Sequence, residues 1–192
     1  MTEPAARART SERLLDAAEE LLLQYDYDTV SVRGICTRAH ANPAAVHYHF
    51  GSKEQLVAAL LETRLAPVWA ENPDRINRQP LSVPALVDAI WAPMDRLLAD
   101  PVGALRLSLL SRFVLNYPHV QWQSTWFDLT VWVRALQRAC PDLDDTTARY
   151  RCRFAFSTLL AQVGPGHPLP PAATAELRAF LVAGLAGGPA AP

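Results

Sequence analysis

Asn42-Pro43-Ala44-Ala45-Val46-His47-Tyr48-His49-Phe50-Gly51-Ser52-Lys53 is the stretch that decides how this chain is read. It describes a very short helix, a tight corner and the start of a longer helix. Asn42 can N-cap with its side-chain oxygen. Pro43 suits the first helical position, where its missing N–H costs nothing. Val46 and Phe50 are four apart and share a face, so they can anchor the short helix in a core. Ala44, Ala45, His47, Tyr48 and His49 occupy the remaining surface. They combine small residues that permit close approach with polar rings that donate hydrogen bonds. A helix of that composition suits a polar partner, and duplex DNA is the best match.

The preceding residues extend the pattern. Ser31 can cap a second short helix whose apolar residues, Val32, Ile35, Cys36 and Ala39, fall at i, i+3, i+4 and i+7. His40-Ala41-Asn42 then make a turn. Helix, short turn and second helix form the helix-turn-helix plan, in which the second helix enters the major groove. Upstream, Thr10 or Ser11 can cap an amphipathic helix with Glu12 in its first turn, as the helix dipole prefers. Leu14, Ala18, Leu21 and Tyr25 line one face, with Leu15 and Leu22 beside them; Arg13, Asp16 and Glu20 line the other. Downstream, Ser52-Lys53-Glu54-Gln55 has the form of a capping box. The fourth helix it opens carries Leu56, Ala59 and Leu60 on its buried side.

Over residues 10–60 the chain resembles the DNA-binding domain of the TetR family of bacterial transcriptional regulators. The residues that carry the resemblance are Leu14-Leu15-Asp16-Ala17-Ala18-Glu19-Glu20-Leu21, Ser31-Val32-Arg33-Gly34-Ile35 and, above all, Tyr48-His49-Phe50-Gly51-Ser52-Lys53. It implies an all-α fold of about nine helices: an N-terminal three-helix DNA-binding unit with a helix-turn-helix, then a larger C-terminal helical ligand-binding and dimerisation domain. The expected divisions are a flexible arm over 1–9, the DNA-binding domain over 10–52, the effector-binding and dimerisation domain over 53–186, and a disordered tail over 187–192. Three positions depart from the family pattern. His40 and Asp26 stand where glycine is usual and a left-handed residue is needed. Gly34 stands inside a helix, where it costs about 1 kcal/mol relative to alanine.

Composition narrows the partners. Half of the 192 residues are hydrophobic and 19% are charged, which implies extensive helix–helix burial. A net charge of −1 excludes a general polyanion binder. Acids cluster in Glu12–Asp28, whereas the charged residues from Val32 to Lys53 are Arg33, Arg38 and Lys53, all basic. Lys53 is the only lysine. Arginine-rich coding accounts for most of that bias, but the residue falls in the first turn of a helix, where phosphate is favoured, so a phosphate contact is expected. Cys36, Cys140 and Cys152 are odd in number and unrelated in spacing, which points to reduced thiols in a cytoplasm. Cys36 and His40 are i, i+4 but lack further ligands, so no metal and no other cofactor is expected. No signal peptide and no long apolar span is apparent, so no membrane partner is expected.

Beyond Glu62 the chain reads as helices divided by proline. Helix four runs to about Ala66, where Pro67 kinks or stops it. A loop covers 72–80. Helices are expected over Ser82–Ala99 with Pro93 inside, Pro101–Tyr117, Gln121–Ala139, Thr146–Val163 and Thr174–Leu185. A turn with capping acids spans Pro141–Asp145, and a breaker-rich loop Gly164–Pro171. In the penultimate helix Ala148, Cys152, Ala155, Leu159 and Val163 form one apolar stripe, and Tyr150, Phe154 and Ala161 lie on another. Two apolar faces need two partners: one is its own core, and the other is either more of the same chain or, as the resemblance implies, a second subunit.

These features describe a cytoplasmic, homodimeric transcriptional regulator. The resemblance implies a repressor expected to bind a palindromic double-stranded operator and to be released by a small-molecule effector. The expected DNA surface is Ser31, Arg33, Asn42, Ala44, Ala45, His47, Tyr48, His49 and Lys53. Arg7 and Arg9 lie in the N-terminal arm. The expected effector site is Trp91, Met94, Arg112, Asn116, Trp122 and Trp126. Trp122 and Trp126 are i, i+4 on the expected helix, Trp91 and Met94 flank the bend at Pro93, and Arg112 and Asn116 add a charge and an amide. An apolar or aromatic effector with an anionic group near Arg112 follows. Two other classes are an interaction protein that retains the helix-turn-helix shape without binding DNA, and a helical ligand-binding enzyme. The polar face at His47–His49 speaks against the first. The second lacks a phosphate loop or nucleophile motif.

Overall fold

A computed structural model describes residues 3–70, 76, 82–117, 119–163 and 169–187. Among these residues the chain is all-helical, in the order α1 (Glu3–Leu22), α2 (Val32–Arg38), α3 (Ala45–Phe50), α4 (Lys53–Ala70), α5 (Val83–Leu98), α6 (Pro101–Asn116), α7 (Thr130–Ala139), α8 (Asp145–Val163) and α9 (Pro171–Ala186).

The first helix starts at Glu3 rather than at a cap on Thr10 or Ser11. Pro4 suits a first helical turn, and Ala-Ala-Arg-Ala-Arg after it are strong helix formers, so nothing local stops the helix before Glu3. Leu14, Leu15, Ala17, Ala18 and Leu22 are buried. Tyr25 is not part of that stripe. The helix has ended at Leu22 and Tyr25 is exposed; Tyr27, on the following turn, is the tyrosine that enters the core.

α4 is the spine of the molecule. Leu56, Val57, Ala58, Leu60, Leu61, Leu65 and Trp69 are all buried, so its apolar surface runs nearly all round rather than along one stripe. It packs on α1 and α3, and it also meets α5 and α6. It continues through Pro67 to Ala70. Pro67 is exposed, so water can serve the carbonyl that its ring leaves without a donor.

The C-terminal helices are fixed by caps and one close approach. Ser82 accepts from the Ala85 N–H, and Asp100 from the Gly103 N–H at 2.7 Å. α5 includes Pro93, which is buried. A Cβ on Gly103 would lie 2.4 Å from the Leu97 carbonyl oxygen, so only glycine allows the α5–α6 corner to close. α6 packs on α5 and α8, and α8 also on α7 and α9. The buried Ser111 hydroxyl donates to the Leu160 carbonyl at 2.9 Å. At the end of α9, Arg151 donates to the Leu185 and Ala186 carbonyls.

Gln121–Ala139 is not one helix. Residues 121–129 are non-helical, with turns and bends from Ser124 onward, and α7 begins at Thr130 after Leu129 in the left-handed region at φ 68. Asp128 closes a turn just ahead of the new helix by accepting from the Thr130 N–H at 2.8 Å, and Leu129 takes the cap position. Trp122 and Trp126 therefore do not share a helix face. α9 starts at Pro171, three residues before the expected Thr174, because proline is well suited to a first turn. Asp26 does not take a left-handed conformation, whereas His40 does, at φ 49. The expected loop at 72–80, apart from the buried Ile76, the loop core at 164–168 and the tail from 188 lie outside the described residues.

Candidate nucleic-acid interface and ligand cavity

The helix-turn-helix is assembled from short-range bonds. Ser31 is the N-cap of α2, and its Oγ accepts from the Gly34 N–H at 3.0 Å. A Cβ on Gly34 would sit 3.2 Å from that oxygen, so the glycine leaves room for the cap. After the left-handed His40, the Cys36 Sγ meets the Pro43 carbonyl at 3.6 Å and ties α2 to the next turn. The Asn42 side chain accepts from the Ala44 N–H at 2.8 Å. It thus closes a turn one step ahead of the helix, and Ala44 rather than Asn42 takes the cap position of α3. Val46 is fully buried and Phe50 half-buried, so the helix is anchored as its spacing implies.

That anchoring leaves an outward face. Ser31, Arg33, Asn42, Ala44, His47 and Tyr48 are exposed, and Ala45 and His49 half-buried. Tyr48 is 65% exposed. The Arg7 guanidinium, carried by the early start of α1, stands 5.0 Å over its ring. His47 Nδ1 lies 2.9 Å from the Gly51 carbonyl oxygen. Burial, and then the charge of Arg7, push the His49 pKa below its ordinary value.

The positive charge is thinner than the sequence implies. Arg38 is paired with Glu20 at 2.5 Å. Lys53 turns inward: its Nζ donates to the Tyr27 carbonyl at 2.5 Å and lies 3.8 Å from the Tyr27 ring centre. Burial lowers the pKa of this ammonium. The lysine expected on phosphate is therefore spent on bracing the turn that follows α1. Of the three basic residues in this stretch, Arg33 is the one that remains outward without a hydrogen bond or ion pair among the described residues.

Tyr27 is a residue that sequence reasoning missed. Its hydroxyl donates to Glu54, its ring meets Phe113 and Tyr117 edge-on, and Lys53 and Arg112 stack on it. Arg112 also pairs with Asp28 at 2.7 Å, a bond that raises its pKa. Arg64 on α4 reaches Glu12, Asp16 and Glu19 of α1, and Arg106 on α6 shares Glu19. These contacts fasten the N-terminal helices to α4 and α6. The capping box at Ser52 is half formed. Ser52 Oγ accepts from the Gln55 N–H at 3.1 Å. The Gln55 amide instead pairs with the backbone of Gln121, its oxygen 2.9 Å from the N–H and its nitrogen 3.2 Å from the carbonyl.

A cavity of about 360 Å³ opens among α4, α5, α6, α7, α8 and the 117–129 segment. Met94, Trp122 and Trp126 line it; Trp91, Arg112 and Asn116 do not. Trp91 faces a separate groove beside α9, with Leu181 and Leu185. Arg112 is taken up by Asp28 and Tyr27, and Asn116 donates to the Arg112 carbonyl. The cavity's charged residues are Asp128 and Arg153. Its aromatic walls also include Trp69, Phe127, Trp132 and Phe156. The rings brace one another: Trp122 stacks on Phe127, and Trp132 meets Trp126 and Phe156. One signal was available beforehand, since Arg153, Phe156, Ser157 and Leu160 recur at i, i+3, i+4 and i+7.

The sequence model described as bacterial regulatory proteins, tetR family, matches residues 14–60. An HTH-type transcriptional repressor of Mycobacterium tuberculosis is 36% identical over 59 residues, 31% of each chain. The A-factor receptor protein of Streptomyces griseus is 28% identical over 71 residues, 37% of this chain and 26% of that one. The matches thus span about a third of the length of these curated relatives. Two solved structures share the fold over nearly the whole chain. One is the TetR family repressor AlkX from a Dietzia strain, implicated in biodegradation of n-alkanes, with TM-score 0.58, 18% identity and coverage of 91% and 94%. The other is a TetR transcriptional regulator from Rhodococcus, with TM-score 0.59, 19% identity and coverage of 96% and 97%. Residues 14–60, which hold the helix-turn-helix at 31–50, thus match the tetR family of bacterial regulatory proteins, and the described helices beyond them share the fold of those two structures.

Proposed function

We propose that this regulator is a ligand-responsive repressor that binds a palindromic operator as a homodimer. The observation that carries the reading is α3: a helix anchored by Val46 that leaves His47 and Tyr48 exposed and Ala45 and His49 half-buried. Ala44, Ala45 and His47 would meet base edges, with Ser31, Arg33, Asn42, Tyr48 and His49 positioning the helix on phosphates and sugars. Lys53 would reach a phosphate only by leaving Tyr27, so its part is to brace the unit. Residues 10–52 would form the DNA-binding domain and 53–186 the effector and dimerisation domain.

Dimerisation is supported by α8 and α9. Phe154 and Phe180 are 61% and 64% exposed, and Tyr150 stacks on Phe154. Aromatic surface of that kind suits a second copy of the chain. The role is regulatory rather than catalytic. A cytoplasmic protein is consistent with it, and no helix among the described residues is long and apolar enough to cross a membrane.

The ligand response would run through α4. Glu62 accepts from the Gln123 and Ser124 N–H groups at 2.6 and 2.7 Å, and Gln55 pairs with Gln121. The segment whose tryptophans line the cavity is thus clipped twice to the helix that follows α3. A ligand that displaces Trp122 or Trp126 would pull on α4, provided it binds the displaced state more tightly.

Selection from random duplexes tests the reading. Two-fold protein symmetry should return inverted repeats. Enrichment of unrelated or single-stranded sequences would reject it.

A further inference from the structure

We propose that the cavity takes a monoanionic carboxylic acid with a flat aromatic body, its carboxylate held at the mouth by Arg153 and Ser157. The inference rests on the effector reading of the cavity and goes beyond it by naming the ligand's chemistry.

Three observations lead there. The first is the shape of the apolar part. The walls carry two ring clusters, Trp122 on Phe127 and Trp126 on Trp132 on Phe156, with centroid distances of 5.2 to 5.5 Å within these pairs. Rings packed on one another present faces and edges to a flat guest; they do not converge as a cage around a point charge.

The second is the state of the two charged residues. Asp128 already accepts from the Thr130 N–H at the start of α7, so its charge is partly answered by the helix terminus. Arg153 makes no hydrogen bond or ion pair among the described residues and only lies over the rings of Tyr150 and Phe154. An anion meets an unspent guanidinium fork, and a cation meets a carboxylate already engaged.

The third is register. Arg153 and Ser157 are one turn apart on α8, on the stripe that also carries Phe156 and Leu160 into the cavity. A guanidinium and a hydroxyl therefore flank the position where the apolar wall ends. The arginine expected to serve an anion, Arg112, is closed to it by Asp28.

The test uses the full-length protein and three probes of one skeleton: 1-naphthaleneacetic acid, 1-naphthaleneacetamide and (1-naphthylmethyl)trimethylammonium. Binding is followed by tryptophan quenching and by calorimetry. Wild type should bind the acid at least roughly tenfold more tightly than the amide, the gain of a charge-assisted hydrogen bond. Arg153→Gln should weaken the acid far more than the amide and so remove that preference, and Arg153→Lys should restore part of it. Arg153 is exposed, so the variants should fold, and circular dichroism melts check this. Equal binding of acid and amide by wild type overturns the carboxylate assignment and leaves the cavity as a ligand site. Tightest binding of the cation overturns it in favour of Asp128. Failure of all three probes, the neutral amide included, overturns the cavity reading itself.

Discussion

The helix-turn-helix and the 119–132 segment both change direction within a few residues, yet they are held in different ways. In the first, the deciding bonds span two to seven residues: Asn42 to Ala44, Ser31 to Gly34, Ser52 to Gln55 and Cys36 to Pro43. In the second, Gln123 and Ser124 bond to Glu62, 61 and 62 residues away. Local bonds form as soon as the backbone turns and are written in neighbouring residue types. Bonds at long separation form only after other helices have packed, so the same peptide would read differently in another setting.

The contrast can be broken most forcefully at Trp132. It is buried, donates to the Trp126 carbonyl at 3.0 Å, and packs on Trp126 and Phe156. Trp132→Ala should destabilise the protein by about 3–5 kcal/mol, read from denaturant midpoints. A loss below about 1 kcal/mol would mean that the 121–129 segment does not depend on this cluster.

Glu62→Ala strikes the clip itself. Two backbone N–H groups lose their acceptor, at a cost of about 1–3 kcal/mol. The sharper readout is functional: operator binding should survive, while its response to ligand weakens. An unchanged response would show that the cavity does not signal through Glu62.

Ser31→Ala probes the local regime. Loss of the α2 cap should cost about 1 kcal/mol. Because the bond closes within three residues, the effect should add to that of Trp132→Ala in a double mutant. Clear non-additivity would deny that the two regions are independently held.

His40→Gly tests strain in the turn. A non-glycine residue at φ 49 costs roughly 1–2 kcal/mol, and glycine's extra unfolded freedom offsets part of the relief. A rise in Tm worth less than about 1 kcal/mol is expected, and a fall would mean that the imidazole makes a compensating contact.

Lys53→Ala should give the smallest change in DNA recognition. With the ammonium on Tyr27, the salt slope of operator binding should stay constant while Tm falls. A slope reduced by about 2 per dimer would place Lys53 on phosphate instead.

Much of the N-terminal unit was legible because its determinants are short in range. The Ser31 cap, the left-handed His40, the anchors Val46 and Phe50, and the cap at Ser52 all follow from residues a few positions apart. Two errors there share one cause. Tyr25 and Tyr27 are both aromatic and two apart, and which one is buried depends on where α1 stops and on Phe113 and Tyr117 of a distant helix. Lys53 looked outward from sequence because its acceptor is a backbone carbonyl 26 residues earlier, which no side-chain pattern announces.

By itself, the amino-acid sequence determined the all-helical class, the helix-turn-helix and the outward face of α3, since capping chemistry and a period near 3.6 act over single turns. Only the tertiary structure decided which arginine faces the cavity. Arg112 and Arg153 carry the same side chain, but Asp28 and Tyr27 converge on the first and the aromatic wall opens beside the second. It also decided that residues 121–129 leave the helical path, where Glu62 supplies the acceptor that the Gln123 and Ser124 N–H groups would otherwise find within a helix.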